Sequence, residues 1–113
     1  MFYRYELMVD EEYQGVGIFQ GLDELDLDID VQNFLMENFN KNLPYPSCLR
    51  EKRGLKTCSY FTEKGNTFFL KDIERIVKAF NCSGLFWVRK VQVEILPKQN
   101  IVYQDKYQIL ISI

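Results

Sequence analysis

Residues 69–80, FLKDIERIVKAF, carry the clearest structural signal in the chain. Their apolar members recur at three- and four-residue spacing: Phe69, Ile73, Ile76, Val77 and Phe80. Charged side chains fill most of the positions between them, so one helical face is apolar and the other is charged. We therefore predict an amphipathic helix over residues 67–81, capped by Asn66 or Thr67 and followed by Gly84.

Segments with strand character flank this helix on both sides. Residues 2–9 alternate between apolar and polar, and residues 13–19 form the returning strand of a hairpin, with a bulge marked by its glycines. Further predicted strands cover residues 57–62, 85–96, 101–103 and 107–113. In the long strand the alternation slips near Arg89 and Lys90, which predicts a bulge or a bend there.

A first helix is predicted over residues 28–40, with Asp28 or Asp30 as its cap. The resulting order is ββ-α-β-α-βββ. This order predicts an α+β fold, in which an antiparallel-rich sheet of about five to six strands carries two packed helices. With 113 residues, the chain is predicted to form a single domain over residues 1–113.

Composition excludes several classes of function. The chain has no histidine, which removes the Ser-His-Asp triad, the Cys-His dyad and nearly all catalytic zinc sites. Its three cysteines are widely spaced, which indicates a reducing compartment rather than a disulfide framework. We find neither a membrane-length apolar run nor a signal peptide, and we expect a cytoplasmic protein without a membrane partner.

Charge is divided unevenly along the sequence. Residues 1–40 hold ten acidic and one basic side chain, a net charge of −9, whereas residues 41–113 have a net charge of +7. Either the two halves neutralise each other in the fold, or they form separate surfaces for cationic and anionic partners.

The acidic half contains a candidate partner-binding surface. Its members are Asp23, Glu24, Asp26, Asp28, Asp30 and Glu37. Four of them are spaced as in a calcium-binding loop, but Val31 occupies the position that needs glycine, so we predict no metal site. We expect these acids to form a solvated helix start or a contact surface for a protein or nucleoprotein partner.

The basic half contains a candidate anion-binding segment. Four basic residues lie within seven positions of a loop predicted over residues 40–56: Arg50, Lys52, Arg53 and Lys56. Such a segment can contact phosphates, with Tyr45 and Tyr60 near it for base stacking. The acidic sequence pI of about 5.2 makes direct nucleic-acid binding a secondary reading beside a plain solvated loop.

Three short segments carry a family resemblance: residues 3–6 (YRYE), 60–65 (YFTEKG) and 101–108 (IVYQDKYQ). With them the chain resembles the small proteins of phages and mobile elements of low-GC Gram-positive bacteria. That resemblance implies a non-enzymatic, anti-CRISPR-like inhibitor of host defence that acts through an acidic surface in the host cytoplasm and needs no cofactor.

The same segments resemble the layout of the ADP-ribosyltransferases. This second resemblance implies an NAD-using enzyme in which Arg4 holds the pyrophosphate side, Tyr60 and Thr62 line the nicotinamide, and Gln108 stands at the place of the catalytic acid. Glutamine cannot act as a stabilising carboxylate, so the sequence departs from that family at a central position.

Overall fold

The computed structural model describes residues 1–46, 49 and 56–113, and it confirms the predicted α+β class and the order of the six strands, with four described helices in place of the two predicted. The strands are β1 (Phe2–Val9), β2 (Glu12–Gly17), β3 (Thr57–Phe61), β4 (Trp87–Val93), β5 (Ile101–Gln104) and β6 (Gln108–Ser112). The helices are α1 (Ile18–Gly21), α2 (Ile29–Asn42), α3 (Glu63–Phe68) and α4 (Leu70–Ser83), with short 3-10 turns at Leu22–Leu25 and Lys98–Asn100.

Strand β1 is the organising strand of a six-stranded antiparallel sheet. β4 pairs with it along Phe2–Met8. Both β2 and β3 also pair with β1. Because β4 occupies one edge of β1, β2 and β3 must share its other edge. β3 meets β1 only at Tyr3, so the sheet divides between β2 and β3, and β6 and β5 continue beyond β3. We call this division the sheet fork.

The main core lies between the sheet and the helices. Leu7 of β1 packs in one cluster with Phe39 of α2 and with the apolar face of α4, where Ile76 and Phe80 are fully buried. A smaller cluster around Leu96, Ile109 and Ile111 covers the opposite face of the sheet. The aromatic-rich composition therefore supplies the core, as in the edge-to-face pair of Phe19 and Phe39.

The second helical region begins earlier than the sequence predicted. α3 starts directly after Thr62, whose hydroxyl accepts a hydrogen bond from the Gly65 backbone N–H, so neither Asn66 nor Thr67 is the cap. Residue 65 lies inside this helix, and it must be glycine because a Cβ there would sit 2.0 Å from the Tyr107 carbonyl oxygen. Glycine, which reads as a breaker, is here required by a close approach of two backbones.

The strand predictions differ from the structure in two places. The hairpin bulge is confirmed, because the β1–β2 register shifts between Glu6 and Met8. Of the bulge or bend predicted at Arg89 and Lys90, the bulge is absent, since β4 pairs with β1 without interruption. Residues 18–19 belong to α1 rather than to the hairpin, where the chain turns to bury Ile18 in the main core.

Candidate functional site

The predicted acidic residues gather around the start of α2. Asp23 and Glu24 lie in the turn before it, Asp26 follows in a left-handed conformation, and all six predicted acids are exposed. Of these six acids, only Glu37 forms an ion pair with a described residue, Lys41, at 3.0 Å. The fold thus leaves this charge facing solvent, and we call these six residues the acidic face.

Asp28 has a structural part in the acidic face. Its Oδ1 accepts a hydrogen bond from the Asp30 N–H at 2.8 Å, which makes it the N-cap of α2 as predicted. Caps of this kind stabilise helices by about 1 kcal/mol. Asp30 lies in the first turn, where its negative charge interacts favourably with the helix dipole.

Apolar side chains stand among these carboxylates. The outer face of α2 carries Asp30, Phe34 and Glu37 on successive turns, and Phe34 is 59% exposed. Ile29, one residue before Asp30, is 64% exposed. The guanidinium of Arg75 lies 5.6 Å from the centre of the Phe34 ring and covers one side of it. Phe34 is thus an exposed apolar side chain on the same side of α2 as the carboxylates of Asp30 and Glu37.

The basic segment falls largely outside the described residues. Arg50, Lys52 and Arg53 are not among them, and Lys56 is exposed just before β3. The Lys56 carbonyl accepts a hydrogen bond from the Ile113 N–H at 3.1 Å, which holds this end of the segment beside β6. The anion-binding prediction for these four residues stays a prediction.

Arg4 fills the sheet fork. Its Nη1 donates to the Ser59 carbonyl of β3 and its Nη2 to the Tyr13 hydroxyl of β2, both at 3.1 Å. Its Nε donates to Glu6 at 3.2 Å. Burial lowers the pKa of Arg4, but the hydrogen bond to Tyr13 and further contacts outweigh it, so the pKa is raised and the group stays charged. One guanidinium thus joins three strands where the sheet divides.

The charges around Arg4 do not cancel. Glu6 accepts from Arg4 on one oxygen and from Arg89 at 2.5 Å on the other. Two guanidinium groups therefore share one carboxylate, which leaves a net charge of +1 on the three side chains. Arg4 is only 8% exposed, so part of this positive charge is held away from water.

A cavity of about 580 Å³ opens at the fork. Arg4, Ser59 and Gln108 contribute polar walls, whereas Phe19, Phe39 and Leu43 contribute apolar ones. Gln108 donates from Nε2 to the Pro44 carbonyl at 2.7 Å and so holds the segment after α2 against β6. We call this space the fork cavity.

Three of the four residues predicted for an NAD site meet here. Arg4, Tyr60 and Gln108 line a smaller space of about 60 Å³ that shares residues with the fork cavity. Burial, followed by the neighbouring Cys58, raises the pKa of Tyr60 to about 12. Thr62 is not among the lining residues of either space, because its hydroxyl donates to the Lys106 carbonyl and caps α3.

Sequence reasoning missed several residues of the fork. Glu6, Tyr13 and Ser59 come from three different strands, and no spacing along the chain connects them. The sequence feature that could have pointed to these partners is Arg4 in an otherwise buried strand. Arginine is rarely buried unless it is paired, so partners for Arg4 were to be expected.

The described residues were also searched for a metal site and for a membrane-spanning helix. Within residues 1–46, 49 and 56–113, no group of three or more acidic or cysteine side chains is placed to hold a metal ion. No helix in that part of the chain has the length and hydropathy to cross a bilayer. Protein-family models, curated proteins and solved structures all give no match to this chain.

Proposed function

We propose that this protein is a non-enzymatic binding protein that inhibits or modulates a macromolecular partner through its acidic face. One observation carries the proposal: Phe34, which is 59% exposed, lies on the same side of α2 as Asp30 and Glu37, two of six exposed carboxylates. Protein interfaces commonly combine a central apolar contact with a charged rim. The start of α2 offers both parts on one surface.

Phe34 supplies affinity in this proposal. Complete burial of one such side chain is worth about 1.5–3 kcal/mol. Arg75 already contacts one side of the ring, so the other side is the one that a partner would cover. The Phe34 ring therefore forms the centre of the contact.

The carboxylates define the partner. Residues 23–37 hold six acidic and no basic side chains, so this surface attracts a strongly cationic one and speeds the encounter with it. A basic protein groove that normally holds nucleic acid fits this pattern. In line with the resemblance to phage and mobile-element proteins, we place the protein among anti-defence inhibitors that occupy such a groove.

The test replaces three carboxylates by their neutral isosteres. We expect the joint substitution of Asp26, Asp28 and Asp30 by Asn to abolish capture of the partner from host lysate. Asparagine caps a helix as well as aspartate does, so the fold of α2 is retained. Phe34→Ala is expected to weaken the captured complex at every salt concentration, because it removes an apolar contact.

A matched control removes the same charge elsewhere. Glu11, Glu12 and Glu94 are exposed and lie outside the acidic face, and their joint replacement by Gln is expected to leave capture unchanged. Equal capture by the wild type and the Asn variant would contradict the proposal. So would equal loss in both triple variants, because the effect would then follow net charge alone.

An NAD-using enzyme is the second candidate. The meeting of Arg4, Tyr60 and Gln108 at one cavity favours it. Release of nicotinamide from NAD by the wild type, and its loss in Gln108→Ala, would support this function over the first.

A further inference from the structure

We propose that the fork cavity binds a small amphipathic carboxylate, with the carboxylate on Arg4 and its apolar body between Phe19, Phe39 and Leu43. This site is independent of the acidic face. It rests on three observations: the unused hydrogen-bonding capacity of Arg4, the charge of the cavity wall, and the size and composition of the space.

Arg4 has donors to spare. A guanidinium carries five N–H groups, and three of those on Arg4 have partners: Glu6, Ser59 and Tyr13. Two N–H groups, one on each terminal nitrogen, remain without a partner among the described residues. A guanidinium with one N–H free on each terminal nitrogen can donate further hydrogen bonds to a carboxylate, the anion that arginine recognises best together with phosphate.

The wall of the cavity selects an anion. Arg4 is the one charged side chain among its described lining residues. Glu6 is already shared with Arg89, so it cannot neutralise Arg4 fully. A bound carboxylate would bring the cluster of Arg4, Glu6 and Arg89 from +1 to zero in a site that is largely removed from water.

The remaining walls fit an apolar body with few polar groups. A volume of about 580 Å³ lies within the roughly 300–1,000 Å³ of typical small-molecule sites. Phe19 and Phe39 present aromatic surface, while the polar residues Thr57 and Ser59 line the same space. The side-chain amide of Gln108 donates its hydrogen bond to the Pro44 carbonyl, so we assign Gln108 to the cavity wall and not to the ligand contacts.

The experiment uses the full chain and matched probes that differ in charge. Binding of 2-naphthoate, 2-naphthalenemethanol, octanoate and 1-octanol is measured by calorimetry and by shifts of the methyl NMR signals of Met36, Leu43 and Leu110. We expect each carboxylate to bind at least tenfold more tightly than its alcohol and to shift these methyl signals. Equal affinity of acid and alcohol would overturn the proposal.

Inorganic phosphate and NAD are the remaining probes. We expect phosphate alone to produce no shift, because it lacks the apolar body. Binding of NAD without binding of either carboxylate would overturn the proposal in favour of a nucleotide site.

Variants locate the site. Arg4→Met is expected to reduce carboxylate affinity at least tenfold and to leave alcohol binding unchanged, since Glu6 keeps Arg89 as its partner. Asn40 is exposed and lines the fork cavity. The variant Asn40→Trp is expected to block entry of the carboxylate into the cavity while Arg4 itself is unchanged. Lys41→Trp places the same bulk one residue away, outside the lining residues, and is expected to bind as the wild type does. Full binding by Asn40→Trp would overturn the site even if Arg4→Met failed to fold.

Discussion

At the scale of single residues, Asp105 organises the turn between β5 and β6. Its Oδ1 accepts hydrogen bonds from the backbone N–H groups of Tyr107 and Gln108, and its Oδ2 accepts from the Tyr103 hydroxyl. Burial raises the pKa of Asp105, but these hydrogen bonds outweigh burial and hold it below the usual value. The charged carboxylate therefore stabilises the folded state.

This arrangement predicts an acid-dependent loss of stability. Because the folded pKa is depressed, the contribution of Asp105 is complete above the unfolded pKa of about 3.9 and disappears as the pH falls through the folded value. We expect the free energy of unfolding, measured with urea from pH 5 to pH 2, to fall less steeply in Asp105→Asn than in the wild type. Exposed Asp23→Asn serves as the control with an unchanged slope, and parallel curves for Asp105→Asn would contradict the assignment.

At the scale of elements, α4 shows what periodicity can and cannot predict. The stripe predicted from residue 69 onward is buried as expected, since Phe69, Ile73, Ile76 and Phe80 are all within 1% of complete burial. The start of the helical region was wrong because it depends on the approach of Tyr107, forty-two residues away from Gly65. Contacts at that separation leave no periodic trace in a sequence.

The buried stripe predicts a large effect of charge. Ile76→Asp is expected to destabilise the protein by roughly 3 kcal/mol or more, because it places an unpaired carboxylate at a position with 0% exposure. Lys71→Asp, on the exposed side of the same helix, is expected to change the free energy of unfolding by about 0.5 kcal/mol or less. Urea denaturation measures both, and an equally stable Ile76→Asp variant would show that α4 is not packed as described.

At the scale of the whole molecule, the sequence predicts which strands form but not how they pair at the sheet fork. The sequence predicted the number of strands and their antiparallel character, because alternation is local. It did not predict that β2 and β3 share one edge of β1. A cleft holding Arg4, Tyr60 and Gln108 was expected only from the resemblance to the ADP-ribosyltransferases, because these residues meet through pairing of distant strands. The acidic residues were found from composition because exposed charge needs no partner to be recognised.

The central position of β1 in the sheet predicts which strands exchange their amide hydrogens slowly. β1 pairs with β4 from Phe2 to Met8 on one edge and, on the other, with β3 at Tyr3 and with β2 from Glu6 onward, whereas β5 pairs with β6 alone among the described strands. We expect hydrogen exchange of the β1 amides to require global unfolding and to be at least tenfold slower than exchange in β5. Equal rates in the two strands would show that the fork does not hold the sheet together.

The contact at Gly65 has a consequence for ancestry. Thr62 and Gly65 both touch the backbone of residues 106–107, the threonine through its hydroxyl and the glycine through its missing Cβ. Apolar core positions tolerate exchange among residues of similar volume, but this position has no substitute of any size. A threonine with a glycine three residues later, packed against the backbone of a segment about forty residues on, is therefore the mark by which diverged descendants of the same ancestor can be recognised.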